Sequence, residues 1–116
     1  MRFVCLVYFE PSATAALSPT DKATLGRDSM AYDQELSRRG SYIVAEALNP
    51  VSSAKCVRVR KGKATTTDGP FAETKEHLGG FILVNAADMN EALEIAAGIP
   101  LAQFGTIEVR PVMQMG

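Results

Sequence analysis

The order of predicted elements indicates an α+β protein with a ferredoxin-like fold. A strand, a helix and a strand are followed by a hairpin, and a second strand, helix and strand complete the 116 residues. Two such β-α-β units in a short chain are the pattern of an antiparallel sheet with both helices on one face. We expect a single domain, residues 1–116, because this length suits one hydrophobic core and is too short for two.

The first unit contains the clearest helix signal. A strand is predicted over residues 2–9, with apolar side chains on both faces. Ser18 is the predicted N-cap of the helix, since a proline follows it and an acid stands three residues on. The helix is expected to reach Arg39, before a glycine that suits its C-terminal cap. A second strand is predicted over residues 41–48, closed by Asn-Pro.

The second unit is preceded by a hairpin. Residues 55–60 alternate as a strand, and a Lys-Gly turn leads into residues 63–67. Strand character resumes over 81–84, again apolar on both faces. Asp88 opens a capping box and a short helix, and a last strand covers 106–110. The short helix is expected to turn three residues inward: Leu93, Ala96 and Ala97.

Two strands that are apolar on both faces need a cover on each side. The two helices cover one side of the sheet, and a second copy of the sheet is the simplest cover for the other. The sequence therefore predicts a two-fold homodimer with sheets face to face, a dimeric α/β-barrel type of assembly. The alternative is that the hairpin or the C-terminal residues 112–115 fold over this face.

Composition narrows the possible partners. Apolar residues make up 47% of the chain and charged residues 22%, and the formal net charge is −1. This gives no field that gathers nucleic acid or an anionic membrane, so neither partner is expected. The apolar run of seven residues near Met1 is too short to span a bilayer and lacks a small-residue cleavage site, so we expect a cytoplasmic protein. Cys5 and Cys56 fall in predicted strands without a CxxC pair, which indicates buried reduced thiols rather than a disulfide or metal site. No cofactor is predicted.

The segment Asp68–Phe81 combines turn residues, ionisable side chains and a double glycine. Its Asp-Gly-Pro-Phe-Ala-Glu-Thr-Lys-Glu and Leu-Gly-Gly-Phe stretches, with Ile107–Pro111 near the end, resemble the YCII-related family, specifically its DGPF-motif branch. The resemblance covers essentially the whole chain. It implies a dimeric ferredoxin-like fold like that of muconolactone isomerase-like proteins, with a cleft in each subunit near the interface.

The resemblance leaves the activity open. The family is mostly of unassigned function, some members are associated with sigma factors, and some relatives are enzymes. Relatives proposed to be enzymes carry a histidine on the first helix paired with an aspartate, whereas this chain has Ser29 in that place. His77 stands where the DGPF branch commonly has glutamine.

The candidate catalytic residues are Asp68, Glu73 and His77. If the segment is helical, Glu73 and His77 lie about 5–6 Å apart at Cβ, and the carboxylate orients the imidazole as a general base. If it is extended, they lie about 13 Å apart and form no dyad. Asp-Gly-Pro is also a rigid turn in its own right, and charged runs are commonly solvated surface. The candidate ligand-binding residues are Phe71, Lys75, Glu76, Tyr8 and Glu46.

Two functions remain open at this stage. The first is a homodimer that binds a small, anionic or carbonyl-containing molecule in a cleft by the Asp68–His77 loop, in a binding or regulatory role. The second is a cofactor-independent isomerase or lyase in which Asp68, Glu73 or His77 moves a proton. The pair Gly79-Gly80 lacks a GxGxxG pattern, which favours close strand packing over a nucleotide site.

Overall fold

The computed structural model describes residues 1–115, which form six strands and three α-helices. Two 3-10 turns, Val51–Ser53 and Pro100–Gln103, join some of these elements. No helix in residues 1–115 has the length and apolar character needed to cross a bilayer. The elements in chain order are β1 (Arg2–Phe9), α1 (Pro11–Ala15), α2 (Pro19–Arg38), β2 (Tyr42–Ala47), β3 (Lys55–Arg60), β4 (Lys63–Asp68), β5 (His77–Asn85), α3 (Met89–Ala97) and β6 (Gly105–Pro111).

Four strands form the main sheet in the order β2-β5-β1-β6, with antiparallel neighbours throughout. Strands β3 and β4 form a separate two-stranded sheet. The predicted α+β class with an antiparallel sheet is confirmed, and this strand order is compatible with a ferredoxin-like fold.

The core lies on one face of the main sheet. Phe3 and Cys5 of β1 are buried, and they pack in one cluster with Leu36 of α2 and Ile95 of α3. Because both long helices contribute to the same cluster, they lie on the same face of the sheet, as predicted. Strand alternation turns the neighbouring side chains of β1 to the opposite face.

Capping residues set the helix starts as the sequence predicted. The Ser18 hydroxyl accepts a hydrogen bond from the Asp21 backbone N–H at 3.1 Å, and the Asp88 carboxylate accepts one from the Glu91 N–H at 2.9 Å. Each bond satisfies a donor that the first helical turn leaves without a partner. Helix α2 ends at Arg38, and Arg39 is its C-cap.

Two predicted details of the second unit are wrong. Helix α3 buries Ala92, Ile95 and Ala96, whereas Leu93 and Ala97 are exposed. The face of α3 that contacts the core is therefore centred on Ala92 and Ile95, and Leu93 lies outside it. Strand β5 begins four residues earlier than predicted, at His77, because β1 pairs with it along its whole length.

The second face of the main sheet is not closed by the segments considered as covers. The hairpin strands form their own sheet and leave Val57 and Val59 exposed. Met113 and Met115 near the C-terminus are exposed as well. These exposed side chains do not favour the alternative in which one of the two segments folds over this face.

Candidate functional site

A cleft of about 160 Å³ opens between helix α2 and the adjoining strands β2 and β5. Its floor comes from small side chains on the core side of the sheet, and its far wall is the segment that leads into the 3-10 turn Pro100–Gln103. The cleft is lined by Val7, Ser29, Tyr32, Asp33, Ala45, Glu46, Ala47, Gly79, Gly80, Phe81, Ile82, Ile99, Pro100 and Leu101.

The double glycine brings three strands together beside the cleft. A Cβ atom at Gly79 would collide with the ring of Phe9, and one at Gly80 would lie 2.8 Å from the Glu46 carbonyl oxygen. A larger residue at Gly80 would therefore force β5 away from β2, whereas one at Gly79 would displace the Phe9 ring. The prediction of close strand packing is confirmed at Gly80.

Helix α2 supplies the polar groups of the cleft. Ser29 and Asp33 are four residues apart, which places their Cβ atoms about 5–6 Å from one another on one helix face. Between them Tyr32 donates its hydroxyl hydrogen to the Ile95 carbonyl oxygen at 2.6 Å, which ties α2 to α3. Burial raises the pKa of the Tyr32 hydroxyl.

Asp33 is the carboxyl group of the cleft whose pKa is shifted by burial. Burial raises the pKa of Asp33, because a partly desolvated site disfavours the charged carboxylate. A carboxyl group with a raised pKa can give or take a proton at a higher pH than an exposed one. Asp33 and Ser29 both present oxygen atoms that can accept hydrogen bonds in the cleft.

The charge of the cleft opposes one sequence-based expectation. Within residues 1–115, the side chains that line it include Asp33 and Glu46 but no Lys, Arg or His. A bound anion would gain no ion pair from these residues and would be repelled by Asp33 in its charged form. The cleft of a single chain thus suits neutral or cationic groups better than the anionic ligand that was expected.

The Asp-Gly-Pro turn lies away from this cleft, at the end of β4. Gly69 has a positive φ of 88°, and its N–H donates to the Ala54 carbonyl oxygen at 2.8 Å. Asp68 is exposed and forms an ion pair with Lys55 at 2.6 Å. Phe71 is 78% exposed, and the Arg58 guanidinium lies 5.3 Å from the centre of its ring. The unusual φ that was predicted for Gly69 is confirmed, and the segment belongs to the base of the hairpin.

The geometry required for a Glu73–His77 dyad is not present. Residues 73–76 lie in bends and irregular backbone, and His77 begins β5 opposite Phe9. Glu73 and Lys75 are exposed. This is the non-helical alternative, in which Glu73 has no helical turn to bring it beside the imidazole.

Glu76 and Tyr8 lie at a third place, where β1, β5 and β6 meet. The Thr106 hydroxyl donates to a Glu76 carboxylate oxygen at 3.4 Å, and Tyr8 pairs with Thr106 across the ladder. Glu46 lines the cleft, although strand alternation directs its side chain away from the side of Ala45 and Ala47. Of the predicted site residues, all of which the structure describes, Glu46 alone lines this cleft.

Sequence reasoning missed Asp33 as a site residue. Ser29 stands in the place of a family histidine, but Asp33 is not among the candidates from sequence. The sequence feature that indicates Asp33 is its position four residues after Ser29, at the border of an apolar helix face. This feature is weak, because polar side chains at such borders are commonly exposed to solvent.

Comparisons with known proteins place the chain in a family. The model of the YCII-related domain matches residues 1–116. An uncharacterized protein of Rhizobium meliloti (strain 1021) is 35% identical over 114 residues, which cover 97% of this chain and 92% of that protein. The chain belongs to the YCII-related domain family.

We predict that the Asp33→Asn variant becomes more stable relative to the unmodified protein as pH rises. The folded state disfavours the charged carboxylate, so the unmodified protein loses stability from the ordinary carboxyl pKa up through the raised one. Asparagine cannot ionise and does not incur this loss. Urea denaturation at pH 3 and pH 7 measures the difference in free energy of unfolding between the variant and the unmodified protein. Asp28→Asn on the same helix is the control. A difference in free energy that is equal at both pH values would contradict the prediction.

Proposed function

We propose that this protein is a cytoplasmic homodimer that binds a small molecule in the cleft beside α2, in a binding or regulatory role. The supporting observation is a largely apolar cleft with a few converging polar groups, which is the usual construction of a small-molecule site. Its volume of about 160 Å³ lies below the roughly 300–1,000 Å³ typical of ligand pockets. A compact ligand, or the end group of a larger one, fits best.

The ligand class follows from the polar lining. Asp33 and Ser29 offer oxygen acceptors, and the apolar remainder offers contact area. A small amine or amide that donates hydrogen bonds to these oxygens is therefore the best match in chemistry. A carbonyl group remains compatible, since the Ser29 hydroxyl can donate to it.

The open face of the main sheet supports the homodimer. Its central row runs Glu46, Phe81, Leu6 and Glu108 across β2, β5, β1 and β6. Apolar side chains stand at the middle of the row and carboxylates at its two ends. An apolar centre with a polar rim is the anatomy of a protein interface.

The Asp68–Phe71 quartet supports placement in the DGPF-motif branch of the family. Gly69 occupies a positive φ that favours glycine, and the following proline limits the backbone before it. The quartet thus forms a defined turn rather than a variable loop.

Replacing Leu6 by Glu is predicted to convert the dimer to a monomer. The new carboxylate faces Glu108 across the ladder and puts a charge in the apolar centre of the open face. Light scattering at micromolar concentration measures the mass. Leu93→Glu, at an exposed position of α3, is the control and is expected to remain dimeric. A monomeric unmodified protein, or a dimeric Leu6→Glu variant, would disprove the face-to-face assembly.

Filling the cleft is predicted to abolish ligand binding. Propylamine, acetamide and propionate serve as cationic, neutral and anionic probes, and amide NMR shifts at Ser29, Asp33 and Ala45 report occupancy. We expect propylamine and acetamide to shift these signals more than propionate does. Ala47→Leu should remove the shifts, whereas Ala23→Leu on the outer side of α2 should keep them. Tighter propionate binding would reverse the ligand class, and shifts that survive Ala47→Leu would place the site elsewhere.

A cofactor-independent isomerase or lyase is the second candidate, favoured by the raised pKa of Asp33 beside Ser29. In this proposal a carboxyl group in the cleft moves a proton of a bound carbonyl compound. Asp68, Glu73 and His77 remain the candidates from sequence. They lie outside the cleft of their own chain, so a catalytic role for them requires a different site or a second subunit.

The enzyme proposal predicts catalysed exchange of the α-protons of 2-butanone with D₂O, followed by proton NMR. Asp33→Asn should lower the exchange rate by about 10²-fold or more, as expected for a lost general acid or base. His77→Gln is the comparison variant and should leave the rate unchanged. A rate that falls with His77→Gln and not with Asp33→Asn would assign the base to the histidine. Exchange no faster than in buffer would reject this reaction.

A further inference from the structure

The hairpin of residues 55–68, here called the arm, is set apart from the rest of the fold. Its strands β3 and β4 pair with each other and with no other strand in residues 1–115. The bond from the Gly69 N–H to the Ala54 carbonyl oxygen closes its base. The core cluster of residues 1–115 contains no arm residue. The arm thus lies outside the hydrophobic core of its own chain.

The arm has two chemically different faces. Val57 lies opposite Thr66 and Val59 opposite Ala64 on one face, and the two valines are 64% and 58% exposed. Arg58 and Arg60 point to the other face by strand alternation. One face is therefore apolar and uncovered toward the tip of the arm, with the Lys55–Asp68 ion pair at its base, and the other face is basic.

A free ribbon of this kind is weakly stabilised. A two-stranded hairpin is marginal in water without a third strand or a packed face. The radius of gyration of the chain is 16.2 Å, compared with about 13 Å for a compact domain of this length. Strands β3 and β4 contact each other and make few contacts with the other elements of residues 1–115, so their own chain does not supply the packing.

The distribution of charge favours a second copy of the chain as the partner. The arm holds five of the 12 Lys and Arg side chains and one of the 13 acidic residues, Asp68. The remaining residues therefore carry seven basic and 12 acidic side chains, a formal charge of −5. A basic arm on an acidic body complements the body of an identical chain, and opposite charges guide such an encounter.

We propose that the arm docks the Val57–Val59 face on the body of a second copy of this chain. The inference rests on the homodimer in the proposed function and adds a second contact surface to the open sheet face. Docking buries both valines and leaves Arg58 and Arg60 on the opposite face of the arm. It also carries the adjoining Asp68–Phe71 turn, which does not reach the cleft of its own chain, onto the partner.

Nucleic acid is the competing partner, because a two-stranded ribbon fits a major groove. Such binding would use the basic face, where Arg58 lies over the Phe71 ring. It would leave Val57 and Val59 in water. The exposed apolar face therefore favours the second copy.

Photo-cross-linking identifies what the arm touches. The photoreactive residue p-benzoylphenylalanine replaces Val59 in the full chain, and ¹⁴N-labelled and ¹⁵N-labelled protein are mixed before irradiation. We expect cross-linked peptide pairs of mixed isotope content, which join the arm to another copy. Leu93, exposed on α3, is the control position and should give few or none. Pairs within one chain only, or equal yields at both positions, would overturn the proposal.

A second variant tests the energetic contribution of the arm. Val57→Thr with Val59→Thr keeps strand propensity and shape while removing apolar character, and should raise the dimer dissociation constant about tenfold or more. Sedimentation velocity over a dilution series measures this constant. An unchanged constant in a dimeric protein would reject the arm contact and leave the face-to-face dimer standing. A monomeric unmodified protein would reject both, and salt-sensitive binding of a labelled DNA duplex that survives the double substitution would assign the arm to nucleic acid.

Discussion

The inner face of β1 holds the fold together. This strand pairs with β5 on one side and β6 on the other, and it carries Phe3 and Cys5 into the cluster that receives both long helices. Burial raises the pKa of the Cys5 thiol to about 11, so this cysteine stays neutral as a packing residue. Every other element is positioned relative to this face.

The cleft lies at the part of the core face where the strands carry small side chains. Toward one end of the core face the sheet offers Gly80 and two alanines in place of larger side chains, and α2 turns Ser29 and Asp33 toward the gap. Glycine is needed there for the approach of neighbouring strands. The same small residues that let the strands pair therefore also leave the space that a ligand can fill.

A chain of this size covers one side of its sheet and leaves apolar surface elsewhere. That surface is divided between the open sheet face and the arm, and the charges are divided too, with the arm basic and the remainder acidic. The proposed homodimer would cover both apolar surfaces with a like chain.

Sequence by itself determined the features that depend on neighbours along the chain. The caps at Ser18 and Asp88, the φ of Gly69, the order of the six strands and two longer helices, and the antiparallel α+β class follow from local backbone chemistry and side-chain alternation. The tertiary structure decided which side of α3 faces the core, how far β5 extends, and that the cleft forms beside Asp33 rather than beside Asp68. These depend on contacts between residues far apart in sequence, which no local pattern encodes.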